Sequence, residues 1–157
     1  MKRYSAMVFI ILGLSATFSN AAPALNQKEK AQSVRWAREL ADPKDHEGYY
    51  PREMCGKEIS AAFDENLVPP FVKAGENLAA YCIEIRTKVS TMCRNNEENK
   101  AKLVKNINKV QCHLGKIDET SFKIEKGVLH FTFGPKSSNL SENFLKFFED
   151  WETTASK

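Results

Sequence analysis

The sequence predicts a mainly α-helical α+β domain: a disulfide-linked helical bundle built on a long helical hairpin, with a C-terminal β-hairpin covered by an aromatic amphipathic helix. Three observations predict it. An apolar stripe of helical period starts at Phe71, the period changes to two after residue 120, and four cysteines follow an export-type leader.

Lys2 and Arg3, the apolar run Val8–Phe18 and the small-x-small site Ser19-Asn20-Ala21 read as a secretory signal. Cleavage is expected after Ala21, with Ala24 as the alternative end. The apolar run is about eleven residues, short of the roughly 20 that span a bilayer, and no later stretch approaches that length. Residues 22–157 are therefore expected to be one mature domain, secreted or periplasmic, and the short leader suits a bacterial envelope. Removing Lys2 and Arg3 lowers the formal charge from +3 to +1, which leaves no bulk electrostatic case for nucleic acid.

Cys55, Cys82, Cys93 and Cys112 all fall in the mature part, and an even count in an exported chain predicts two disulfides. No Cys-x-x-Cys or His-x-x-x-His spacing occurs, so neither a metal nor another cofactor is expected.

After a loose start, residues 28–41 carry Ala31, Val34, Ala37 and Leu40 at helical spacing until Asp42-Pro43 stops them. Pro43–Arg52 reads as a loop, in which His46 and Glu47 are weak acid–base candidates; a solvated polar loop is the simpler account. Glu53–Phe63 has Cys55, Ile59, Ala62 and Phe63 on one helical face. Asp64–Pro70 reads as a linker whose second proline can open the next helix.

The hairpin occupies Phe71–Gly115. Phe71, Ala74, Leu78, Cys82, Ile85, Val89, Met92 and Cys93 make the stripe of its first arm. Cys82 and Cys93 share that stripe, but about 16 Å of helix separates them, too far for Cα atoms that must lie about 4.4–6.8 Å apart. Arg94–Asn99 is the turn. The second arm runs from Glu97 to Leu114 with Leu103, Ile107, Val110 and Leu114 inward and Gly115 as C-cap. Antiparallel folding sets Cys112 opposite Cys82, giving Cys82–Cys112 with Cys55–Cys93; Cys55–Cys82 with Cys93–Cys112 is the alternative. The first pairing carries a difficulty, because Cys112 lies off the stripe of its own arm. Lys102, Lys105 and Lys109 line the outer face, as a solvated helix surface or a docking face for an acidic partner.

Residues 28–115 thus form the helical part and 116–157 a smaller unit. In it Phe122–Ile124 and Val128–Phe133 make a β-hairpin about Glu125-Lys126-Gly127. Asn139-x-x-Glu142 resembles a capping box before a helix that aligns Leu140, Phe144, Phe147, Phe148 and Trp151. A lone hairpin needs cover, so this stripe is first a core; an exposed aromatic binding face is the second reading.

Three functions follow. The leading one is a non-enzymatic module binding a protein partner through Phe144, Phe147, Phe148 and Trp151 or through Lys102, Lys105 and Lys109. A small hydrolase using His46 and acids of residues 43–64 is the alternative, and a structural or toxin-like protein is the third.

Overall fold

The computed structural model describes residues 24–42 and 51–155. The leader and residues 43–50, with His46 and Glu47, lie outside the described residues. The elements are α1 (Gln27–Ala41), α2 (Pro51–Cys55), β1 (Ser60–Phe63), a 3₁₀ turn at Glu65–Leu67, α3 (Val68–Ala74), α4 (Leu78–Asn95), α5 (Glu97–Asn106), β2 (Lys109–Leu114), β3 (Thr120–Glu125), β4 (Val128–Phe133) and α6 (Leu140–Ala155). The fold is α+β, with one four-stranded sheet in the order β1-β2-β4-β3. β1, β2 and β4 run parallel, and β3 is antiparallel to β4.

The helical hairpin is half right. Its first arm breaks in two, because Gly75 takes a left-handed φ of 76° that ends α3 while its N–H caps the carbonyls of Phe71 and Val72. Asn77 then accepts from the Ala79 N–H and starts α4. The second arm stays helical only to Asn106, and its remainder is β2. Burial alternates along β2, with Val110 and Cys112 inside. Gly115 is therefore no helix cap but begins the link to β3. Leu103, Ile107 and Val110 are fully buried as expected, whereas Leu114 is 36% exposed. Glu53–Phe63 likewise divides into the one-turn α2 and the strand β1. At the other end, α1 starts within one residue of the expected position, where Asn26 and Glu29 form a reciprocal capping box.

The disulfides are Cys55–Cys93 and Cys82–Cys112. Cys112 reaches Cys82 from a strand and not from an opposing helix. On a period of two it shares the inner face with Val110, which removes its misfit with the helical stripe. α4 thus carries one cross-link to the sheet and one to α2.

The hairpin β3–β4 turns through Lys126 and Gly127, and α6 covers its inner face. The Phe122 ring meets Phe131 at 5.0 Å, Phe144 at 5.3 Å and Phe147 at 5.6 Å between centroids. Phe144 and Phe148 are buried, which takes them out of any docking surface; Phe147 and Trp151 are half-buried. Full burial of such a side chain contributes about 1.5–3 kcal/mol. The hairpin and helix are not a separate unit, because β4 pairs with β2 along six residues and one hydrophobic core runs through both parts. The capping box expected at Asn139 is replaced by a longer-range cap. Asn139 has φ 54°, and Glu84 of α4 accepts from the Ser141 N–H at 3.2 Å and hydroxyl at 2.9 Å.

Residues 115–119 arch across the end of β4 to join β2 to β3. The Gly115 N–H donates to Phe133 O at 2.9 Å, the Gly134 N–H to Glu119 O at 3.3 Å, and the Lys136 N–H to Ile117 O at 2.8 Å. Ser137 Oγ also donates to Glu119 O. The arch lies so close that a Cβ on Gly134 would overlap the Lys116 carbonyl oxygen and stand 2.5 Å from the carbonyl carbon of Ile117. Gly134→Ala is expected to cost about 2–3 kcal/mol through this backbone overlap. Urea unfolding measures it, and a loss below about 0.5 kcal/mol, the range of an inert surface change, would show that the arch does not rest on residue 134.

Candidate functional site

Two surfaces could act chemically. The first is the sheet face opposite the helices. Strand alternation and register put Lys109, Gln111 and His113 of β2 beside His130 and Thr132 of β4 and Lys123 and Glu125 of β3. Asp64, just beyond β1, is held at β2 by its N–H donating to Cys112 O at 3.1 Å. Its carboxylate accepts from Gln111 Nε2 at 2.9 Å and lies 2.7 Å from His113 Nδ1. His113 Nε2 lies 2.8 Å from His130 Nδ1. The ring centroids are 5.1 Å apart and the ring planes 18° from parallel, so the imidazoles meet nitrogen to nitrogen, end to end.

With the carboxylate ionised and both rings neutral, this chain has a direction. An ionised carboxylate only accepts, so the proton of a neutral His113 sits on Nδ1 and its Nε2 is an acceptor. His130 must then donate through Nδ1, which leaves its Nε2 lone pair as the outer end of the chain. The arrangement can pass a proton from His130 towards Asp64. It does so in the open, since the His113 and Asp64 side chains are 29% and 42% exposed. All four cysteines are in disulfides, so no thiol nucleophile serves it. Among the described residues, no group of three or more His, Cys, Asp or Glu side chains is arranged to hold a metal ion. On the same face Lys123 bonds Glu125 at 2.6 Å, and that ammonium holds the Glu125 carboxyl below its ordinary range.

The second surface is an apolar groove of about 480 Å³ between α3 and the arch. Pro70, Lys73 and Ala74 line one side, at the i, i+3, i+4 spacing of a single helix face. Leu114, Gly115 and Ile117 line the other, and Pro135 and Lys136 complete it. Leu114 and Ile117 are 36% and 56% exposed, uncommon for large apolar side chains on an ordered backbone. The walls are fixed by the arch bonds described above and by Tyr81, whose hydroxyl donates to Pro135 O at 3.4 Å and whose ring stacks on Phe133. Burial, with the charge of Glu76, pushes the Tyr81 phenol up, so it stays a donor.

Comparison with known protein families, curated proteins and solved structures finds no match.

Of the lysines and aromatics singled out in the sequence, only Lys109 lies at one of these surfaces, the outer sheet face. Lys102 and Lys105 sit on α5 but Lys109 on β2, so the lysine stripe is not one helix face; Lys102 is paired with Glu98 at 2.9 Å. Phe147 and Trp151 close over the core at α6, away from the groove lining. Asp64 belongs to the acids of residues 43–64, but residue separations of 49 and 17 hide its chain with His113 and His130 from any reading by spacing. The groove had no sequence signal at all, since Leu114 fitted a helical core position.

Proposed function

We propose that the chain is a non-enzymatic binding module, secreted or periplasmic, whose ligand enters the groove between α3 and the arch. Two disulfides point to an oxidising compartment, and no described helix is long and apolar enough to cross a membrane. The observation that carries the reading is the pairing of exposed Leu114 and Ile117 with walls already in place. A preformed concave apolar site of roughly 300–1,000 Å³ is what ligand pockets share, and about 480 Å³ falls within it. The Asp64–His113–His130 chain supplies a proton acceptor but no enclosed space in which to use it, so binding ranks above hydrolysis.

The test is saturable binding of the neutral apolar dye Nile red. Ile117→Asp is expected to weaken it at least tenfold, about 1.4 kcal/mol, while the thermal midpoint stays put because Ile117 is largely exposed. Unchanged dye affinity in a folded Ile117→Asp protein would remove the groove as the site.

A further inference from the structure

We infer that the occupant of the groove is a single-chain amphipath with an anionic head, of the alkyl carboxylate class. This rests on the reading of the groove as the ligand site and adds the chemistry of its ligand. Five of its eight lining residues, Pro70, Ala74, Leu114, Ile117 and Pro135, offer only apolar surface. The two charged ones, Lys73 on α3 and Lys136 after β4, have the same sign, and no carboxylate lines the groove. Among the described residues neither lysine is in an ion pair, whereas Lys100, Lys102 and Lys123 each have a carboxylate partner. An alkyl chain matches the apolar surface, and an anion is the head that two unpartnered ammonium groups favour. A cationic head would meet like charge on both, and a neutral head would gain nothing from either.

Magnitudes separate the contributions. Each methylene taken from water strengthens binding about fourfold while the chain still fits. The lysines are exposed, so each is worth roughly a two- to fivefold preference, which added salt reduces. The chain supplies the affinity and the lysines supply the selectivity.

The experiment is displacement of Nile red from the full mature chain by decanoate, decanol and decyltrimethylammonium, each below its micelle concentration. Decanoate is expected to displace the dye at about a fivefold lower concentration than decanol, with the cation weakest. Lys73→Gln with Lys136→Gln should erase that order while leaving decanol unchanged. If decanol matches decanoate in the unaltered protein, or the preference survives in the lysine variant, the anionic head is wrong although the groove reading stands. If none of the three displaces bound dye, the groove does not take alkyl chains and the amphipath proposal fails. If Nile red itself never binds, the groove reading has failed first.

Discussion

Arg86→Ala is expected to lower the stability of the fold by about 4 kcal/mol, the sum of lost charged hydrogen bonds and a partly unfilled cavity. Arg86 is 1% exposed, in the middle of α4. Its Nη1 donates to Leu40 O at 2.9 Å and its Nη2 to Asp42 O at 2.8 Å. These carbonyls belong to the end of α1, where no further helical N–H is available to satisfy them. The guanidinium therefore acts as the C-cap of another helix and fixes α1 to α4. Leu40 is buried, so water cannot easily replace the lost donor at its carbonyl. Arg86→Met separates the two contributions, because methionine restores most of the volume but donates nothing; about half the loss should remain. Urea unfolding reads both variants. If each lies within about 0.5 kcal/mol of the parent, as inert surface changes do, the guanidinium does not hold α1.

Replacing Cys82 and Cys112 together by alanine is the second large effect. The bridge closes a sequence separation of 30 residues, for which loop closure entropy gives about 3.5 kcal/mol. The 38-residue separation of Cys55–Cys93 gives nearly the same figure. The consequences should nonetheless differ. Cys82–Cys112 joins the longest of the described helices to a central strand, so its loss should lower protection across β1, β2 and β4 together. Cys55–Cys93 secures the five-residue α2, and its loss should loosen that end first. Hydrogen exchange resolves the two patterns. Uniform loss of protection in both variants would contradict this division.

What the sequence showed depended on the range of the interactions involved. α4 was legible because a single helical period persists through Leu78, Cys82, Ile85, Val89 and Met92, and tertiary packing reinforces it. The β3–β4 hairpin was legible because its partners are close in the chain. Residues 107–114 satisfied two periods at once: Ile107, Val110 and Leu114 fit a helix, while Val110 and Cys112 fit a strand. The choice was made by parallel pairing of Lys109–Cys112 with Ser60–Phe63 on one side and with β4 on the other. No local propensity encodes that. The same holds for the groove, whose walls come from α3, the arch and residues 135–136. The aromatic stripe of α6 was read correctly as cover for the hairpin, yet the same burial disqualifies Phe144 and Phe148 as a docking face.

The position of β2 also constrains how the molecule can be assembled. β1 has no strand to join until residue 114 exists, and β2 lies between β1 and a strand that follows it in the chain. β4 must slot between two strands already tethered to each other by a short arch. A chain emerging from its amino end therefore cannot build this sheet strand by strand. The hairpin, closing on a timescale of about 1–10 μs, is the only part of the sheet available as a local template, and the distant pairings that follow are the slow ones. The amino-terminal half waits on the carboxyl-terminal half, so a chain truncated before residue 128 would keep only the four-residue β1–β2 pairing and leave β3 without a partner strand.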